Sequence, residues 1–198
     1  KLLQMIQGKP LIQWVYENAK KAKRFERIIV ACDHPLIQEC VESFGGEAVL
    51  TSGLHSSGTE RVAEVAQQLR AGCILNVQGD EPLIHPETVD QVVLALETEA
   101  SASMSTACVP KDDPEEFINP NVVKLVKDQR GFALYFTRAP IPRERDGQGR
   151  PGYLKHLGIY GYRRDFLLHF AALPPSPLER LEKLEQLRAL EHGYRIKV

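Results

Sequence analysis

Cys73-Ile74-Leu75-Asn76-Val77-Gln78 is a short, nearly continuous apolar run that passes through Gly79-Asp80-Glu81-Pro82 into a helical pattern over Pro86–Glu97. The run reads as a strand. The same phrase stands upstream. Arg27-Ile28-Ile29-Val30-Ala31-Cys32, a short continuous apolar run with the look of a strand buried on both faces, leads into a helix at about Pro35–Ser43, then Gly45-Gly46 and a strand at Glu47–Thr51. Ser57-x-x-Glu60 has the form of a capping box ahead of a helix over Arg61–Leu69. Pro10 opens an earlier helix with Leu11, Ile12, Val15, Ala19 and Ala22 on one face. Strand and helix in alternation predict an α/β fold with a mixed, mostly parallel central sheet and right-handed crossovers.

After Cys108 the rhythm changes. Val122–Lys127 and Phe132–Thr137 flank Asp128-Gln129-Arg130-Gly131, the pattern of a β-hairpin with a four-residue loop. A strand at about His156–Tyr162 and helices near Asp165–Ala172 and Leu178–Leu190 follow. The second half therefore reads as an antiparallel extension of the sheet. Pro140 to Gly152 is the most loop-like stretch, and Tyr194–Val198 reads as a strand beginning.

The 198 residues suit one domain spanning 1–198, and 43% apolar with 26% charged residues is too apolar for disorder. A net charge of −1 offers no basic field for nucleic acid. No apolar run approaches the ~18–20 residues of a membrane span, so neither nucleic acid nor membrane is an expected partner. The start carries no secretory leader pattern. Four cysteines without a C-x-x-C pair, three of them in strand-like runs, point to a reducing compartment, and the location expected is cytoplasmic. His55 and His156 stand alone in the sequence, which argues against zinc.

Chemistry concentrates in four places. Gln78, Gly79, Asp80 and Glu81 stand where open α/β sheets bind ligands, beyond a strand's carboxyl end. There Gly79 admits close backbone approach, and Asp80 offers oxygen to a hard cation such as Mg²⁺; a solvated Gly-Asp turn is the plainer alternative. Leu54-His55-Ser56-Ser57-Gly58-Thr59-Glu60-Arg61 runs a Ser/Gly loop into a helix start, which suits a phosphate or a base edge, although a cap alone explains Ser57 and Glu60. Arg138, Arg145, His156 and Tyr160 lie around the Pro/Gly loop, where two arginines and a histidine could grip a carboxylate. Pro177–Arg188 places its leucines on one helical face, with Glu185 and Gln186 free to face a pocket. Gln7-Gly8-Lys9-Pro10 is not a P-loop.

Together these stretches resemble the 3-deoxy-manno-octulosonate cytidylyltransferases, or CMP-Kdo synthetases. The likeness rests on Ala31-Cys32-Asp33-His34, His55-x-Ser57-Gly58-Thr59-Glu60-Arg61, Asn76–Pro82, Asn119-Pro120-Asn121-Val122-Val123-Lys124 and Ala133-Leu134-Tyr135-Phe136-x-Arg138. It continues through His156–Tyr162 and Ser176–Glu179 to Leu184–Arg188, nearly the whole chain in order. The resemblance implies a Rossmann-like nucleotidyltransferase fold, usually homodimeric. It also implies transfer of CMP from CTP to the anomeric hydroxyl of Kdo, an eight-carbon acidic sugar, with release of pyrophosphate. Mg²⁺ is the implied cofactor, and lipopolysaccharide assembly the implied use of the product.

Carried over by residue, the resemblance makes Asp80 a metal ligand and gives Lys1, Asp80 and Arg61 catalytic roles. Ser57, Gly58, Arg61 and Gln78 would face the nucleotide, while Arg138, Arg145, His156, Tyr160, Glu185 and Gln186 would line the sugar pocket. Against the family pattern, the chain is expected to begin after a first strand and at the last lysine of a triphosphate loop, Lys1. It is expected to end before a second metal aspartate. The alternatives are a cytidylyltransferase for another acidic sugar such as a sialic acid, and a non-catalytic nucleotide-binding module. His156–Tyr162 and Leu178–Arg188 argue against the first, Asp80 and Arg61 against the second. A glycosyltransferase is disfavoured, because Gly79-Asp80-Glu81 is not D-x-D.

Overall fold

The computed structural model describes residues 1–145 and 152–198. The chain begins with β1 (Met5–Ile6), β2 (Lys9–Pro10), α1 (Leu11–Ala19), β3 (Val30–Cys32), α2 (Pro35–Ser43), β4 (Ala48–Leu50) and α3 (Gly58–Gln67). Next come β5 (Cys73–Val77), α4 (Pro86–Thr98), β6 (Met104–Lys111) and α5 (Pro114–Ile118). It closes with β7 (Lys124–Lys127), β8 (Ala133–Thr137), β9 (Tyr153–Arg163), α6 (Arg164–Ala172), α7 (Pro177–Glu182), α8 (Gln186–Glu191) and β10 (Ile196–Lys197).

Local chemistry sets the helix starts. Proline fills the first position of α2, α4, α5 and α7, where no backbone N–H is needed. His34 Nδ1 caps α2 by accepting from Leu36 N–H at 3.2 Å, and Asp113 caps α5. The start of α3 is earlier than the expected Arg61: Ser57 is the cap, and its hydroxyl accepts from Glu60 N–H at 3.2 Å. The reciprocal half of the box is displaced by one residue. The Glu60 carboxylate takes the Ser56 N–H and hydroxyl, both at 2.7 Å.

β9 organises the main sheet. β6 runs along one of its edges, while β5 (Val77 opposite Ile159) and β7 (Leu125 opposite Leu154) share the other. β8 pairs with β7 as the expected hairpin, and β10 lies parallel to β6. The mixed α/β sheet is as expected, but parallel pairing is scarcer than the strand–helix rhythm implies. β5 and β6 share a direction yet do not touch, because β9 is inserted between them antiparallel to both. Gly161 permits the insertion: a Cβ there would stand 2.5 Å from Ser105 Oγ and 3.1 Å from both Leu96 and Val92. β3 and β4 form a separate parallel pair.

Helices cover both faces of the sheet. Ile74 of β5 packs with Ala63, Ala66, Phe166, Phe170 and Leu187 on one side, while Leu75 and Val77 meet Val89, Val92 and Ile159 on the other. β5 is thus buried on both faces, whereas β3, the strand from which double burial is expected, is half-buried at Val30 and Ala31 because, among the described residues, it pairs with β4 alone. The expected single helix Leu178–Leu190 is instead two helices. Lys183 adopts φ 54°, ψ 47°, and this left-handed residue breaks the chain between α7 and α8. Of the expected Pro140–Gly152 loop, residues 146–151 lie outside the described residues. Among the described residues no helix is long and apolar enough to cross a membrane.

Candidate active site

Of the groups singled out in the sequence, Gln78–Asp80 follow β5, and Ser57–Arg61 form the start of α3, with Arg61 turned to the ends of β3 and β4. β5 ends at Val77, so Gln78, Gly79 and Asp80 turn out of the sheet, with Glu81 N–H bonded back to Gln78 C=O at 3.2 Å. Gly79 is in a close approach: a Cβ there would lie 3.2 Å from the Leu2 side chain and 3.4 Å from Ile12. Leu2 is held down in turn by its carbonyl, which accepts from Ile12 N–H at 3.1 Å. This packing brings Lys1 over Asp80, with Nζ to Oδ2 at 2.5 Å, although the two are 79 residues apart. The Asp80 side chain is 40% exposed, and its other oxygen meets no donor among the described residues.

Arg61 stands on the first turn of α3 with its guanidinium turned back across the strand ends. It donates to Asp33 Oδ2 at 2.9 Å, just past β3, and to Thr51 Oγ1 at 2.7 Å, just past β4. Its side chain is 15% exposed, so it faces the strand ends already oriented. Beside it the Ser57-Gly58 start of α3 presents the helix N-terminus. His55, alone in the sequence, pairs with Glu64.

A second group lies on β9 and at the α7–α8 elbow. His156 Nε2 is 2.9 Å from Thr106 Oγ1, and its ring meets Phe136 edge-on at 5.2 Å and Tyr160 at 5.4 Å. Burial pushes its pKa down to about 4. The imidazole is therefore neutral at pH 7 and brings no charge to the anion grip expected of it. The Tyr160 hydroxyl is pushed above its ordinary range by burial and by the nearby Glu185 charge. Glu185 is itself pushed up by burial, against the pull of Thr59, Arg188 and Ser57. Gln186 is 3% exposed, and its Nε2 has no partner among the described residues. The same holds for Nδ2 of Asn76, the residue paired with Tyr160 across the β5–β9 ladder. Sequence reasoning assigned Asn76 no role. Buried amide donors without acceptors are costly, and an acceptor-rich ligand relieves them.

Arg138 is differently placed from the expectation. Its Nε donates to Glu182 C=O at 2.7 Å, Nη1 to Pro120 C=O at 2.9 Å and Nη2 to Lys183 C=O at 3.5 Å. The guanidinium thus clamps the elbow that carries Glu185. Lys124, fully buried on β7, does similar work by donating to the carbonyls of Asn119, Val122 and Arg138 at 2.7–3.0 Å. Arg145 is exposed. An open depression of about 650 Å³ beside Tyr16, Phe25, Arg27 and Glu47 contains none of the residues expected to act.

Neutral, buried His156 has a consequence for stability. Its folded pKa lies below the ordinary 6.5, so the unfolded chain binds the proton more readily. The stability from this group is complete above pH 6.5 and is lost as pH falls toward 4. At pH 5 the loss is about 2 kcal/mol relative to pH 8. Urea denaturation at the two pH values should show that loss in the native protein and a smaller one in His156→Asn.

A Gly-Asp turn past β5, a polar α3 start and an Arg61 oriented by Asp33 and Thr51 are groups of the kind that suit phosphates and a base edge. The cytidylyltransferase family model matches residues 1–196. Proteins named 3-deoxy-manno-octulosonate cytidylyltransferase from Syntrophotalea carbinolica and Syntrophobacter fumaroxidans are 48% and 50% identical, covering 100% and 98% of this chain and 82% and 79% of theirs. The solved structure of a CMP:2-keto-3-deoxy-manno-octonic acid synthetase complexed with CTP is 41% identical with a TM-score of 0.94. It covers 100% of this chain, which spans 81% of that one. A 4-diphosphocytidyl-2C-methyl-D-erythritol synthase structure from Anaerococcus prevotii, 13% identical at TM-score 0.61, covers 100% of this chain and 82% of its own, and shares the fold alone. The chain belongs to the 3-deoxy-manno-octulosonate cytidylyltransferase family.

Proposed function

We propose that the protein transfers CMP from CTP to the anomeric hydroxyl of Kdo and releases pyrophosphate. The observation that carries this reading is the combination of near-coincidence with a CTP-complexed synthetase and a site whose strand-end residues suit a nucleotide. The sugar hydroxyl attacks the α-phosphorus in line with the departing pyrophosphate. Charge builds on the phosphoryl oxygens and on the leaving group, so positioning and electrostatic stabilisation supply most of the rate.

Each side chain then has a task. Ser57, Gly58 and Gln78 hold the cytidine and its phosphates at the α3 start, and Arg61, pre-oriented by Asp33 and Thr51, faces the phosphates. Lys1 lies at the Asp80 carboxylate, where a cation also meets the triphosphate. Asp80 fits Mg²⁺ as that ion binds nucleotides, through one or two carboxylates with phosphates and water as the other ligands; the exposed, partly engaged carboxylate is such a donor. When bound there the ion supplies neutralisation of phosphate charge. Gln186, Glu185, Tyr160 and neutral His156 offer hydrogen bonds to the sugar hydroxyls. Arg145 supplies charge for its carboxylate, and Arg138 supports the pocket from behind the elbow.

On the same reading the enzyme is a cytoplasmic homodimer whose product feeds lipopolysaccharide assembly. A sialic-acid cytidylyltransferase is the competing specificity. Pyrophosphate release from CTP should be stimulated by Kdo and not by a sialic acid; stimulation by sialic acid alone would assign the site to the other sugar.

A further inference from the structure

The start of α3 and the α7–α8 elbow belong to the nucleotide and sugar sides of the proposed site, and side chains join them directly. Thr59 follows Ser57 and Gly58 and is 4% exposed. Its hydroxyl donates to the Glu185 carboxylate, which lies 126 residues further along the chain. The Ser57 hydroxyl also lies against that carboxylate, and the Tyr162 hydroxyl lies against Thr59. The only cation within reach of Glu185 among the described residues is Arg188, at 3.4 Å. That guanidinium is already spent on Glu179, through Nε at 2.8 Å and Nη2 at 2.6 Å. Glu185 is half-buried: the Thr59 hydroxyl fixes its Oε2, while Oε1 has the long 3.4 Å contact from Arg188 and is the oxygen left to meet a ligand.

We propose that Thr59 is a positioning residue that orients Glu185 in the sugar pocket and so joins the nucleotide loop to it. The inference rests on the reading that Glu185 faces the sugar. Thr59 touches neither substrate in this scheme; its effect passes through Glu185. Removing the hydroxyl without changing volume releases Oε2, so Glu185 can close its long contact with Arg188 and the sugar loses an aligned acceptor. Specificity for the acidic sugar then weakens while the nucleotide side is unaffected.

Steady-state kinetics on the full chain test this with Thr59→Val, Thr59→Ser, Glu185→Gln and the Thr59→Val/Glu185→Gln double variant. Thr59→Val should raise the KM for Kdo about tenfold, with the KM for CTP within about twofold of the parent. Thr59→Ser should restore most of the loss, and the double variant should be no worse than Glu185→Gln, because both changes remove one interaction. Proportional rises in both KM values, no rescue by serine, or additive effects in the double variant would overturn the positioning role while leaving Glu185 in the pocket. An unchanged KM for Kdo in Glu185→Gln would overturn the pocket assignment itself, and the proposal with it.

Discussion

Replacing Asp80 with Asn should lower turnover by about a thousandfold or more and leave the fold intact. The carboxylate stands beyond β5, is 40% exposed, and has Lys1 as its protein partner among the described residues. Nothing in the two apolar layers depends on it. An exposed pair of this kind adds little to stability, on the order of 0–1 kcal/mol. The transition state is different, because negative charge grows on phosphoryl oxygens where water is displaced. Asparagine keeps the size of the side chain but removes the anionic oxygen that pairs with Lys1 and that, on the proposed reading, would hold Mg²⁺. The check is kcat beside a thermal melt: a large loss of kcat at an unchanged midpoint is expected. Wild-type kcat in the variant would remove Asp80 from the catalytic account.

Arg188→Met should be the most damaging single change to stability, costing about 3–5 kcal/mol. Arg188 is 5% exposed and grips Glu179 through two bonds. Its Nη1 donates to the carbonyls of Phe170 at 3.3 Å and Leu173 at 3.1 Å, and the guanidinium lies 4.9 Å from the Phe170 ring. Burial alone would raise the Glu179 carboxyl, yet bonds from Arg188 and Ser176 outweigh it and hold the group below the usual carboxylate range. Methionine fills the space but leaves the Glu179 anion, among the described residues, with the Ser176 N–H alone and takes a donor from the carbonyls of Phe170 and Leu173. Urea denaturation at pH 7 measures the cost, and adding Glu179→Met should recover part of it, since the orphaned charge is then gone. A loss below 1 kcal/mol would mean the pair contributes nothing beyond its volume.

Much of the fold was legible because it is locally encoded. The helix expected at Pro35–Ser43 has those bounds as α2, and the apolar Cys73–Gln78 run forms the expected strand as β5, Cys73–Val77. The β7–β8 hairpin follows from Asp128–Gly131, where Gly131 takes φ +78° and Asp128 accepts from Phe132 N–H at 2.8 Å. What escaped depends on distant partners. The break at Lys183 is gripped by Arg138, 45 residues away, so leucine spacing alone reads through it as one helix. The insertion of β9 between β5 and β6 depends on the missing Cβ of Gly161 against Ser105, Leu96 and Val92, which no local window contains.

The site divides the same way. Asp80 and the Ser57–Arg61 loop stand out because strand ends and helix starts are local motifs. The neutral state of His156 and the commitment of Arg138 to three carbonyls come from burial and long-range contacts, so charge counting overstated the anion grip. Thr59 carried a weak signal at most, because a threonine on the first turn of a helix is unremarkable until Glu185 is seen against it.

The central claim is that the site joins CMP to an acidic sugar. Phosphorus-31 NMR of the protein with CTP, Mg²⁺ and Kdo tests it by identifying the product. The expected spectrum shows the CTP resonances replaced by pyrophosphate and one phosphodiester resonance, both absent when Kdo is omitted. Unchanged CTP with Kdo present, or loss of CTP at the same rate without it, would contradict the account.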